Sequence, residues 1–543
     1  MAFIFALILR IVGARSLPVN GAEAELFDGA LDIASKTGSG TSANPAWLGL
    51  TAPLFYLFPA TALLGRFWPL LLGASLTILP LVWREKLSFR GYALLSLLLA
   101  IDPLLVRSTV DAAYPMITFA AMAWVLTAWQ KNWPIVLGFF AGLALLSGAW
   151  GIALLIICVI TWFLLRVVAH GKFDNILSRN KAQSQEMVKK ALPTFLLTLV
   201  LIGTVFFLYP QGIAGIGAGF AQFMALAPAV SGTPARILVL VRLAYAWPWI
   251  LLSLPSLIFA YRRQLAWSIW SAMVAVLALL LSFVFPSLGA LQVIFVLAMI
   301  FASLPYLEEI LSSILPDKYA LGLAGFILVI SAYIVMQVHN LGWQNRYSEL
   351  TWPSLIGGAA GLLLIFLAVS LVTIGWGKAA GRSGLRLAVI TLVPILILAS
   401  SFTLLGPSGS TRNLFFTSDA VIDPQDNFAE FLNFFEHVSP LDRQNIRVKN
   451  QTEIQAPINW IFRGYQKAGN SSNPQIVITG LEDRIELPLA YNSTDLMINR
   501  RIRLDPGLPP LLQLRDLLIG RVYFDDLRVK VWVQPNLILG NEP

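Results

Sequence analysis

Apolar runs of membrane-crossing length recur along the first 405 residues, and no other feature narrows the fold as much. The stretch "GAAGLLLIFLAVSLVTIG" (358–375) carries no charge. At about 18 residues it is long enough to cross a hydrocarbon core. Of the 543 residues only 12% are charged and 57% are hydrophobic, whereas soluble domains are about 25% charged. Most of this chain therefore faces lipid. Cys158 is the one cysteine and lies inside such a run, so a disulfide framework is excluded.

Hydropathy predicts about thirteen membrane helices, at 2–14, 67–83, 92–106, 114–129, 134–149, 150–168, 192–209, 238–260, 266–286, 287–304, 319–337, 356–377 and 387–405. The first fourteen residues lack the basic start and cleavage site of a signal peptide, and read as a first membrane helix. The formal charge of +9 does not form a nucleic-acid surface, because Lys and Arg fall in short loops between apolar runs. On one side they crowd around 84–90, 172–190, 262–263 and 378–386. The other side holds Arg15, Lys36, Arg66, Arg107, Arg236 and Arg346. This asymmetry predicts a cytoplasmic N-terminus and an extracytoplasmic C-terminus.

The tail, 406–543, has ordinary charge and alternating runs such as "NIRVKN" (445–450), "QIVITG" (475–480) and "LRVKVWV" (527–533). These read as strands, and 426–438 and 458–468 read as helices. The expected architecture is an all-α polytopic membrane domain (1–405) with a large first outer loop (15–66), followed by an extracytoplasmic α/β domain (406–543).

In that first loop, "NGAEAELFDGALDIASKTG" (20–38) is unusually acidic. Glu25, Asp28 and Asp32 recur at helical spacing and would share one face, with Leu26, Ala30 and Leu31 toward the other. An amphipathic helix on the membrane surface, its acids solvated, explains the pattern. "NPAWLGLTAPLFYLF" (44–58) reads as a second interfacial segment, with Trp47, Phe55 and Tyr56 at headgroup level.

Several motifs bear on identity. In "LRIVGARSLPVNGAEAELFDGALDIA", Arg10 is followed by Pro18 and by Glu23 before an Ala-rich helix. In "DPLLVRSTVDAAYPM" (102–116) a proline is followed eight residues on by Asp111. Together with the layout above, these resemble the glycosyltransferase C (GT-C) superfamily, in its protein O-mannosyltransferase and lipid-linked-sugar transferase branch. The tail segments "APINWIFRGY" (456–465) and "LRDLLIGRVYFDDLRVKVWV" (514–533) look like the outer domain of prokaryotic members. Two positions depart from the pattern: Ala22 stands where the family has Asp, and Ala113 where it often has Arg.

The resemblance implies a GT-C fold in a prokaryotic plasma membrane. It also implies transfer of a sugar from a polyprenyl-phosphate donor to a protein, lipid or glycan acceptor. An inverting transfer needs a base for the acceptor's proton and positive charge for the departing phosphate. Glu23 is the first choice of base, Glu25 the second and Asp28 the third, with Asp111 on the facing loop. For the phosphate, Arg242 stands out, because an arginine inside an apolar span is costly; snorkelling to the surface is the alternative. Arg236 lies in a Gly- and Ala-rich loop suited to a flap near the site. The resemblance allows a divalent cation held by Glu23, Asp111 and phosphate. The histidines, His170, His339 and His437, show no metal-ligand spacing. No Gly-rich loop follows a strand, which argues against a cytosolic nucleotide donor. Trp460, Arg463 and Tyr465, on a predicted tail helix, either position an acceptor or pack. Two other classes stay open. An inactive GT-C-like scaffold would suit Ala22. A transporter would show paired halves, and no internal repeat is found.

Overall fold

In a computed structural model, residues 1–17, 19–35, 44–84, 87–168, 181–225, 239–240, 242–243, 245–285, 288–312, 318–344, 352–405, 445–452, 455–468, 473–483, 491–503 and 523–538 are described. The chain forms a multi-pass helical bundle and a small C-terminal sheet.

Among the described residues five helices are long and apolar enough to span: Ala266–Val284, Ala290–Ser312, Lys318–Gln337, Pro353–Gly375 and Lys378–Ser401. Two bent pairs, Phe89–Ile101 with Pro103–Val110 and Pro134–Leu146 with Ala149–Leu164, raise that to at most seven. This is fewer than the sequence predicts, for identifiable reasons. The runs 134–149 and 150–168 meet at a 117° bend, where Gly148 adopts φ 69°, a left-handed conformation suited to glycine. The run 238–260 is an unbroken helix only from Trp247. The apolar stretch Phe67–Val82 is short.

Ala290–Ser312 is the central helix and is mostly buried, whereas Pro353–Gly375 is almost entirely surface. Leu362, Leu363, Phe366, Leu371 and Ile374 are exposed along the latter, as a lipid-facing helix requires. The main core joins Leu99, Leu104, Phe119 and Trp249 from four helices to Val293 and Val296 of the central one.

The bend between Phe89–Ile101 and Pro103–Val110 is 51°, and buried polar groups satisfy the backbone it frees. Arg10, fully buried, donates to the Leu99 and Ala100 carbonyls at 3.1 and 3.0 Å, and Ser401 donates to that of Ile101. Asp102 caps the following helix, accepting from Leu104 and Leu105 N–H at 3.1 and 3.0 Å. It also accepts from Trp249 Nε1 at 2.7 Å.

The first loop holds two helices, α2 (Gly21–Ala34) and α3 (Pro45–Leu57), after the opening helix α1 (Ala2–Ser16). On α2 the predicted polarity holds in part. Glu25 is exposed and Ala30 buried, but Asp28 and Asp32 are half-buried. Of the aromatics expected at headgroup level, Tyr56 is exposed, while Trp47 and Phe55 are buried.

In the tail, β1 (Arg447–Asn450), β2 (Gln466–Lys467), β3 (Ile476–Gly480), β4 (Asn492–Arg503) and β5 (Tyr523–Val533) form a sheet of order β2-β1-β3-β5-β4. β1 runs parallel to β2 and β3, and β5 antiparallel to β3 and β4. Val448, Ile476, Ile478, Val529 and Val531 form its core with Ile458 and Phe462. The predicted helix at 458–468 is instead Gln455–Ile461, followed by a turn into β2. The expected helix at 426–438 lies outside the described residues.

Candidate active site

Asn20 and Glu23 form a capping box at the start of α2. Asn20 Oδ1 accepts from Glu23 N–H at 2.8 Å, and Asn20 N–H donates to Glu23 Oε2 at 3.4 Å. The box satisfies two of the N–H groups that a helix start leaves open. It also turns the Glu23 carboxylate inward, where it is 1% exposed. There Arg66 meets it as a fork, with Nε donating to Oε1 at 2.8 Å and Nη2 to Oε2 at 2.5 Å. Ala112 N–H donates to Oε1 at 2.7 Å. Arg66 Nη1 donates onward to the Ala14 and Leu17 carbonyls at 2.7 and 2.8 Å. One ion pair thus ties the end of α1, the start of α2, the end of the first loop and the second loop.

Asp111, in that second loop, is 2% exposed. Its Oδ2 accepts from Asn20 Nδ2 at 2.9 Å and from Arg107 Nη2 at 3.3 Å; its Oδ1 accepts from Ala113 N–H at 3.0 Å. Burial and the Glu23 charge push its carboxyl up to about 6, while Arg107 and Arg66 pull it back. The two carboxylates differ in a way that matters chemically. A carboxylate offers about four lone-pair sites. Glu23 has all of them filled by Arg66, Ala112 and Asn20. Among the described residues Asp111 has three donors and keeps a site on Oδ1.

Arg242 is 3% exposed and does not snorkel. It precedes the helix Trp247–Arg262. Its Nη1 and the Tyr114 hydroxyl each come 2.9 Å from where a β-carbon on Gly289 would stand, so a side chain there would push one of the two tips aside. Tyr114 is three residues past Asp111 on the same loop, so the structure gathers Glu23, Asp111 and Arg242 around residues 111–114.

The other expected site residues lie elsewhere. Glu25 is exposed on α2. Arg236 and Pro18 lie outside the described residues. Trp460 is 4% exposed, its ring 4.9 Å from that of Phe27 and 6.1 Å from that of Phe55. Arg463 stacks 4.3 Å over Trp460 and donates Nε to the Ala60 carbonyl at 3.1 Å. Tyr465 packs edge-on to Phe462 in the sheet core. Trp460 and Arg463 dock the tail on the first loop, with Gln455–Ile461 packed against α2. Asp28 faces this junction. Burial pushes its carboxyl up to about 7, with Asp32 adding to the rise and Lys467 and Arg463 opposing it.

The divalent ion that the resemblance allows does not fit these carboxylates. Glu23 and Asp111 already carry arginine partners. Among the described residues no group of three or more His, Cys, Asp and Glu could hold a metal.

Sequence reading missed Arg66, counted only as a loop charge, and Asn20. The spacing Asn20-x-x-Glu23 is a capping-box signature, and a buried glutamate demands a cation. Both signals were available.

The bundle, the two-helix first loop and the docked C-terminal sheet define a multi-pass helical membrane protein. The fold is similar to that of ArnT from Cupriavidus metallidurans. In its structure bound to undecaprenyl phosphate, the TM-score is 0.55 at 13% identity, covering 98% of this chain and 98% of that one. Against ArnT in the apo state the TM-score is 0.54, at the same 13% identity and 98% coverage of each chain. No protein-family model matches the chain, and no curated protein matches it.

Proposed function

We propose that the chain is a membrane glycosyltransferase that moves a sugar from a polyprenyl-phosphate donor to an extracytoplasmic protein, lipid or glycan acceptor. One observation carries the reading: a loop of four residues links a carboxylate with an open acceptor site, Asp111, to Tyr114 beside the buried Arg242. The full-length likeness in fold to a protein solved with undecaprenyl phosphate supports it.

In this mechanism the acceptor oxygen attacks the anomeric carbon and Asp111 takes its proton. The bond from that carbon to the phosphate oxygen breaks, and its electron pair leaves with the phosphate. Arg242 and Tyr114 stabilise the charge released, and Arg236 is the second cation proposed for the phosphate. Glu23 holds the two loops in register through Arg66. Trp460 and Arg463 serve the acceptor indirectly, by seating the tail on the first loop, and Tyr465 by packing the tail's own core.

The test is transfer by the purified protein from radiolabelled sugar-charged polyprenyl phosphates. Wild type should release sugar from the lipid. Asp111→Asn should bind the lipid and fail to transfer. Inactivity of the wild type with retained lipid binding would favour the second reading, an inactive scaffold. The exposed Ala22 at the family's Asp position and the filled Glu23 carboxylate speak for that alternative.

The reading also requires an odd number of crossings, about thirteen by hydropathy, with the N-terminus cytoplasmic and the tail outside, and loop charge supports that orientation. In a Cys158→Ser background, Glu482→Cys, at an exposed turn, should react with an impermeant thiol reagent on intact cells. Protection until lysis would contradict it.

A further inference from the structure

We infer that Gln292 recognises the sugar of the lipid-linked donor, by a paired hydrogen bond to one of its hydroxyl groups; this rests on the glycosyltransferase reading. Gln292 lies in the first turn of the central helix Ala290–Ser312 and is fully buried. Its side-chain Oε1 and Nε2 have no hydrogen-bond partner among the described residues. Its immediate neighbours, Leu291, Val293, Ile294 and Phe295, belong to the apolar core. A buried amide with neither partner opposes folding, and a Leu or Met at this position would carry no such penalty. The amide therefore calls for a ligand.

Its position says which ligand. Gln292 N–H donates to the Gly289 carbonyl at 3.2 Å, which closes a single turn. Residues three apart on a turn share a face, and on this face Arg242 and Tyr114 reach Gly289. The carboxamide thus sits one turn from the groups proposed to bind the donor phosphate. An ionised phosphate only accepts hydrogen bonds and would satisfy Nε2 alone. A sugar hydroxyl both accepts from Nε2 and donates to Oε1, so it satisfies both. In this state the amide is closed from solvent. The Arg242 guanidinium that reaches Gly289 on this face is the far end of a flexible side chain, and engaging the phosphate would draw it aside. A site that bonds a substrate hydroxyl discriminates strongly against a ligand lacking it.

The experiment compares the affinities of purified wild type and Gln292→Met for undecaprenyl phosphate and for a panel of hexosyl undecaprenyl phosphates. Wild type should prefer a sugar-charged lipid by about tenfold or more, from hydrogen bonds formed only with the sugar. Gln292→Met should lose that preference, bind the sugar-free lipid as wild type does, and melt no lower. Retention of the preference by Gln292→Met would overturn the inference and leave the glycosyltransferase reading intact. A lower melting temperature with the preference unchanged would also overturn it, since the amide would then hold a structural water. If Gln292→Met does not fold, Gln292→Asn keeps the amide but withdraws it by one methylene. Loss of the preference in that variant supports the inference, and its retention refutes it. Failure of wild type to bind either lipid would sink both readings together.

Discussion

Two buried polar regions lie beside the second loop, and they differ in what they lack. Around Glu23 the ledger of donors and acceptors is full: an arginine fork, two backbone N–H groups and a capping box. Around Gly289, the tips of Arg242 and Tyr114 close in on the bare glycine, and Gln292 one turn away has no partner among the described residues. A satisfied buried network fixes structure, and an unsatisfied one marks a place for something else. The first region is thus read as the joint that holds the loops, and the second as the seat of the donor. Asp111 stands between them, sharing Asn20 with the first and its loop with Tyr114.

The largest effect is expected at that boundary. As the base, Asp111→Asn should lower the transfer rate by at least about 10². In wild type the rate should fall as pH drops through about 6, where the raised Asp111 carboxyl takes up its proton. A rate unchanged from pH 8 to 5 would remove Asp111 from the chemistry.

A large loss of stability should follow from breaking the filled region. On sequence grounds Glu23→Gln preserves shape and costs at least about 10² in rate if Glu23 is the base. The structure adds that it strips Arg66 of its counter-charge and points an amide NH2 at donors. Removing one partner of a buried pair costs about 3–5 kcal/mol, so the melting temperature should fall. Glu23→Gln with Arg66→Gln should recover part of it. A single variant that melts like wild type would contradict the joint.

A smaller effect is expected where α2 meets the tail. Burial holds Asp28 up to about 7 against an ordinary value of 3.8. The folded protein then keeps a proton that the unfolded chain releases, so stability is greatest below about pH 4 and declines toward pH 7. Asp28→Asn removes that slope: it should melt like wild type at pH 4 and higher than wild type at pH 8. An equal or lower melting temperature at pH 8 would show that Lys467 and Arg463 hold the charged form.

What could be read from the sequence was local. Periodicity gave the apolar segments, the acidic face of α2 near Glu25, and strands at 445–450, 475–480 and 527–533, which form as 447–450, 476–480 and 523–533. Arg242 stood out as a charge among apolar residues, and the lone amide in "ALQVIFVLAMIF" carried the same signal unheeded. Long-range pairings were hidden. Nothing near Trp460 announces Phe27 as its partner, and nothing near Arg66 shows that its fork closes on Glu23. The bend at Gly148 was likewise silent, because a run of apolar residues looks alike whether straight or folded back.

The difference between the two regions can be tested directly by measuring undecaprenyl phosphate affinity in three purified proteins. Glu23→Gln with Arg66→Gln, if folded, should bind as tightly as wild type, because that joint touches no donor. Arg242→Ala should lose about tenfold to a hundredfold, the worth of a charged hydrogen bond to phosphate. Unchanged affinity in Arg242→Ala, with loss in the paired variant, would reverse the assignment.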